Sequence, residues 1–145
     1  MTMTNNRFTM CFPDGWKEAT IHTFEGPMAD GVKHNLLLSI EPLGKKERLE
    51  DFARTRIGMC TAALPAFRLL NEAEMVLPDG TVTRVVMYRF SPAANKTMYQ
   101  KQYFMIVGGK GCIFTASFSK KTLRTIAVDV DAIVASFVNE PSRPE

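Results

Sequence analysis

The side chains able to do nucleophilic or metal chemistry are few: Cys11, Cys60 and Cys112, with His22 and His34. A cysteine attacks as its thiolate, activated by a neighbouring histidine, and Cys11 with His22 is the pair to consider. Zinc needs four clustered ligands, or three and an open position, and no pair here stands at ligand spacing. An odd count without CxxC reads as free, mostly buried thiols in a reducing compartment. Paired carboxylates occur at Glu50-Asp51 and at Asp129 with Asp131. Both fall on the polar sides of predicted helices, where solvation accounts for them. Gly108-Gly109-Lys110-Gly111 lacks the Ser or Thr that follows Lys in a phosphate loop, and a hairpin turn using glycine at positive φ explains it. GxGxxG, HExxH and GxSxG are absent. The expectation is a protein with no catalytic set, no metal and no cofactor.

Short alternating segments would have to position any site. Phe8, Met10 and Phe12 alternate with polar or small residues up to Pro13-Asp14-Gly15, a turn signal. Strands are predicted over Thr20–Glu25 and His34–Glu41. The period then changes: Leu49, Phe52, Ala53, Ile57, Cys60 and Leu64 recur at three- and four-residue steps, a helix ended by Pro65. Glu47, Glu50 and Asp51 lie at its start, where the helix dipole favours acids. Four more strands follow, over Phe67–Leu77, Thr81–Phe90, Thr97–Val107 and Cys112–Ser119. A second helical stripe runs from Leu123 to Phe137, and Asn139–Glu145 reads as a flexible tail. Hairpin turns imply antiparallel pairing, and grouped strands with two helices imply an α+β architecture.

With 145 residues, 46% of them hydrophobic and 23% charged, the chain suits one globular domain, here 1–138, and not a disordered one. Apolar runs such as Leu36-Leu37-Leu38 are too short to span a bilayer, and no apolar stretch of a signal peptide follows Arg7. A cytoplasmic location without membrane insertion is expected. The net charge of +3 is uneven: eight basic residues and no acidic one lie between Thr81 and Arg124. Tyr88, Tyr99, Tyr103 and Phe104 interleave with them, a pattern that can stack single-stranded nucleic acid. No RNP-like motif accompanies it, and a pI near 8.8 is short of a nucleic-acid footprint. The solvated face of strands is the simpler reading, with no nucleic-acid partner.

Strand alternation divides Thr97–Val107 into two mixed faces, one carrying Met98, Gln100, Gln102, Phe104 and Ile106. Nine methionines suit core filling, and also a surface that accommodates apolar partners. Apolar residues left on an open sheet face would mark a groove for a helix or hydrophobic peptide.

Phe12-Pro13-Asp14-Gly15-Trp16, Thr20-Ile21-His22-Thr23-Phe24 and Leu49-Glu50-Asp51-Phe52-Ala53 resemble the DcrB-like family of the PsbP/Mog-type fold. Leu64-Pro65-Ala66-Phe67, Asp79-Gly80 and Gln102-Tyr103-Phe104 continue the likeness in order, over about residues 7–138. The resemblance implies a curved antiparallel sheet of about six to seven strands with two helices packed on one face. Leaderless members of this kind resemble the Eag chaperones of type VI secretion. Those are dimers that shield the N-terminal transmembrane helices of secreted effectors before loading on the secretion spike. By position in the family pattern, the groove would comprise Ile21, Thr23, Leu37, Cys60, Leu64, Met98, Phe104 and Phe114. Gln100 and Gln102 would hydrogen-bond polar groups of the bound helix. A rival reading is a non-catalytic module for a small GTPase or an apolar ligand; the basic stretch argues against the GTPase.

Overall fold

A computed structural model describes residues 2–4, 9–16 and 19–138. The first two strands, β1 (Thr2–Thr4) and β2 (Thr9–Cys11), pair with each other alone. β3 (Ile21–Ala29) and β4 (Val32–Pro42) form a hairpin closed by Asp30 and Gly31, both at positive φ. That backbone matches the strand twist, and glycine supplies it without steric cost. α1 (Leu49–Ala63) crosses to β5 (Arg68–Val76), which begins the meander β6 (Val82–Ala93), β7 (Lys96–Val107) and β8 (Lys110–Phe118). A short 3-10 turn (Thr122–Arg124) then leads into α2 (Ile126–Ala135).

The main sheet is six-stranded and antiparallel, in the order β3-β4-β8-β7-β6-β5. The fold is α+β, as the periodicities predict. Phe8 and the tail over 139–145 lie outside the described residues. The predicted glycine turn at 108–111 is a tight hairpin, with Gly108 and Gly109 at positive φ and Lys110 already in β8. At Pro78-Asp79-Gly80 the Thr81 hydroxyl, and after it the Thr81 amide at 2.9 Å from Asp79 Oδ1, hold that carboxyl below its usual range.

One expectation is corrected: the helices pack on opposite faces. Phe52 of α1 meets Phe104 edge-on at 5.9 Å, in a core with Val86, Tyr88 and Ile113. α2 instead buries Ala127, Val130 and Val134 against Tyr103, Met105, Cys112 and Phe114. Tyr103 and Phe104 are successive strand residues and must point to opposite faces. The physical reason lies in the central strands. Tyr103-Phe104-Met105 and Gly111 through Phe114 are buried without a break, the mark of a strand covered on both sides.

At Gly111 the approach of α1 is closest. A Cβ built there would lie 2.5 Å from the Phe52 ring, so the glycine lets the helix seat on β8. Arg56 pairs with Glu41 and ties the same helix to β4. On the other face, Lys101 Nζ lies 3.0 Å from Asp131 Oδ1, and the Tyr103 hydroxyl donates to the same carboxylate. Asp131 therefore anchors α2 to β7, a firmer role than the solvation expected of it.

Candidate functional site

Residues directly opposite in register share a sheet face, so the pairings place the predicted groove residues without ambiguity. Thr23, Leu37, Thr115, Gln102 and Val86 form one row across five strands. Ile21, Ser39, Ile113, Phe104 and Arg84 form the next. Gln100 stands between Ser117 and Tyr88, and Met98 opposite Phe90. All of these face α1. Cys60 and Leu64, on the last turn of α1 and its C-cap, border the same surface. Nine of the ten predicted residues therefore lie on one side of the sheet.

Phe114 does not. It pairs with Tyr103 and Leu38, faces α2 and stacks edge-on with Phe137 at 5.3 Å. Its even number along β8 puts it with Cys112 and Ala116, whereas Thr115 and Ser117 point into the groove. Phe104 is on the expected face but is 0% exposed beneath α1, so it supports the groove and does not line it.

Beside α1 the sheet stays open on two sides: toward β5 and β6 in a polar cleft lined by Glu50, Arg54, Glu72 and Arg84, and on the other side in a strip formed by β3, β4, β8 and the margin of β7. Ile21 is 60% exposed at its outer edge, while Leu37, Leu64 and Met98 are half-buried. Its floor is a hydrogen-bonded ladder. The Tyr88 hydroxyl donates to Gln100 Oε1 at 2.5 Å, and Gln100 Nε2 donates to Ser117 Oγ at 2.9 Å. Gln102 Nε2 donates to Thr115 Oγ1 at 3.3 Å, and Cys60 Sγ lies 3.9 Å from Gln102 Oε1 and 3.8 Å from Tyr88 Oη. Burial, reinforced by Cys60, pushes the Tyr88 phenol up, which keeps it a neutral donor. Each glutamine amide is oriented by its partner, and each retains capacity for a further bond.

The floor can thus present fixed donors and acceptors between apolar margins, a surface for binding. Thr115, Ser117 and Tyr88 are the members that sequence reasoning missed. The signal was available in β8, where Ile113, Thr115 and Ser117 alternate with Phe114, Ala116 and Phe118.

Other candidates resolve into structure. Among the described residues, no three His, Cys, Asp or Glu side chains gather as metal ligands. His34 is 3% exposed with both ring nitrogens bonded, Nδ1 to the Pro27 carbonyl and Nε2 to Thr122 Oγ1, each at 3.0 Å. Cys112 is buried, and that burial raises its thiol pKa despite Lys110. His22 is exposed opposite Leu38, on the α2 side. Among the described residues no helix is long and apolar enough to cross a membrane.

The architecture has counterparts. The crystal structure of PA94 from Pseudomonas aeruginosa, titled a protein of unknown function, superposes with a TM-score of 0.77 at 15% identity, covering 98% of each chain. The solution structure of the cyanobacterial PsbP protein CyanoP from Synechocystis sp. PCC 6803 matches with a TM-score of 0.57 at 16% identity. That match covers 94% of this chain and 89% of CyanoP. These likenesses show a shared PsbP-like fold. No curated protein matches the sequence. The DcrB family model does match, over residues 9–136, and the chain belongs to the DcrB family.

Proposed function

We propose that this protein is a non-catalytic chaperone or adaptor that holds an apolar helix of another protein on the open strip beside α1. The observation that carries the reading is the ladder of Gln100, Gln102, Thr115 and Ser117 between the apolar margins Ile21, Leu37, Leu64 and Met98. The dimensions suit one helix. From β3 to β7 the strip spans three interstrand gaps, about 14 Å, against a helix diameter of about 10–12 Å. Up to Ile40, before Arg56 of α1 pairs with Glu41, β4 offers nine residues, about 30 Å, and a 20-residue apolar helix is about 30 Å.

Such a helix exposed to water is costly, at about 25 cal/mol per Å² of apolar surface, and the strip removes part of that surface. The glutamines and hydroxyls would meet polar groups and small residues of the helix, as helices do for one another in bilayers. By the likeness of its motifs to the Eag chaperones, the client is the N-terminal transmembrane helix of a type VI secretion effector. The chaperone would act as a cytoplasmic homodimer, so that two strips shield the client.

A detergent-free pull-down from the native host, read by mass spectrometry, tests this. The expected result is one large protein with N-terminal transmembrane helices, lost when Thr115→Arg blocks the strip in an otherwise folded chain. Recovery of a GTPase, a nucleic acid or a small ligand in its place would sink the reading.

A further inference from the structure

On the opposite face of the sheet, a cleft of about 220 Å³ opens between the β3–β4 hairpin and α2. Its walls are Phe24, Leu36, Phe118, Ile126, Val130 and Ile133. Leu36, Phe118 and Val130 are buried at its base, whereas Phe24 and Ile133 are 54% and 52% exposed at its mouth. His34 fixes the position of the cleft's walls. Its ring bonds the irregular stretch of β3 at Pro27 and Thr122, just before α2.

The charge facing this cleft is negative. Asp129 is the acid on the α2 stripe that lines it with Ile126, Val130 and Ile133, and among the described residues no Lys or Arg lines it, in a protein of net charge +3. Glu25 borders the cleft through its backbone; its side chain points with Thr23 to the opposite face, 3.4 Å from Lys33, and among the described residues Asp129 forms no ion pair. The start of α2 contributes about half a positive charge, which the Asp129 carboxylate outweighs. An apolar cleft with a few convergent polar groups is the usual form of a small-ligand site. We infer that the cleft between β3 and α2 binds a hydrophobic amine, its ring or alkyl group seated against Phe24, Phe118 and Ile133 and its ammonium beside Asp129.

The site is independent of the proposed helix groove, which lies across the sheet. Titration of the full ¹⁵N-labelled chain with phenethylamine, 2-phenylethanol and 3-phenylpropionate separates shape from charge. Phenethylamine is expected to shift the amide signals of Phe24, Asn35, Asp129 and Ile133 saturably, with the alcohol weaker and the carboxylate weakest. Asp129→Asn on the exposed face of α2 should weaken phenethylamine about three- to fivefold, the size of a surface ion pair, and leave the alcohol unchanged. Phe-Ala-amide carries the same group at a peptide end; binding tighter than phenethylamine assigns a peptide amino terminus, and weaker assigns a free amine. Equal binding of amine and carboxylate, or no saturable shift at these residues, would overturn the inference.

Discussion

Two buried phenols give the residue scale its clearest consequence. Tyr88 and Tyr103 are 1% and 0% exposed, and burial raises both pKa values in the folded state. For Tyr103 the adjacent Asp131 carboxylate adds to the shift, because an ionised phenolate there would face a second negative charge. In the unfolded chain each phenol ionises near pH 10. The stability from keeping them neutral is therefore fully present below about pH 10 and is lost as pH rises from there through the folded values. Each phenol should contribute a slope of about 1.4 kcal/mol per pH unit in that range. Urea denaturation between pH 8 and 11 should show the loss, and Tyr88→Phe should remove one phenol's share of the slope. An unchanged slope in that variant would mean that Tyr88 ionises freely in the native state. Phe104 follows a different logic: its ring is buried against Phe52, so Phe104→Ala should cost about 3–5 kcal/mol. Phe104→Arg should abolish folding, which makes it no test of the groove.

At the scale of elements, Gly111 shows how one missing side chain sets a helix. Its backbone faces the Phe52 ring, and a Cβ would stand 2.5 Å from it. Gly111→Ala should therefore destabilise by about 1–3 kcal/mol through overpacking. Measured by urea denaturation, the penalty should shrink markedly in a Phe52→Leu background, where the smaller side chain leaves room for the methyl. Equal penalties in both backgrounds would assign the effect to backbone strain. The elements themselves were largely legible: both helices, the hairpin turns at Pro78-Asp79-Gly80 and Gly108-Gly109, and the later strands follow from periodicity and turn residues. The side of the sheet that each helix covers was not. Period-2 reasoning assumes one buried face, whereas Phe104-Met105 and Ile113-Phe114 are buried on two. Phe114 was assigned to the groove because its apolar character was read without its parity against Thr115. The Gln100 and Gln102 pair was readable because polar residues at alternate positions of an otherwise apolar strand stand out. Asp131 was misjudged because its partners, Lys101 and Tyr103, are about 30 residues away in sequence and meet it only through the sheet.

For the whole molecule, covering opposite faces with one helix each leaves two unlike surfaces separated by a sheet. The α1 side carries the hydrogen-bonded strip, and the α2 side carries the acid-rimmed cleft. Their lining residues share the strands β3 and β4 but point away from each other: Thr23 and Leu37 to one side, Phe24 and Leu36 to the other. Energies of sites without shared partners add, whereas sites coupled through a common strand do not. Thr115→Arg should block an apolar helical peptide on the strip while leaving phenethylamine affinity within experimental error. Asp129→Asn should do the reverse, and the double variant should show both losses with no interaction energy beyond about 0.5 kcal/mol. Titration of one ligand in the presence of the other, followed by calorimetry, measures the same quantity without mutation. A peptide affinity that changes when the amine site is saturated would show that β3 and β4 shift as a unit. His34 is where that coupling would originate, because it fixes the β3 irregularity to the turn before α2. His34→Phe, which keeps the ring and removes both hydrogen bonds, should then abolish the coupling. If the sites are independent, it should weaken only the amine.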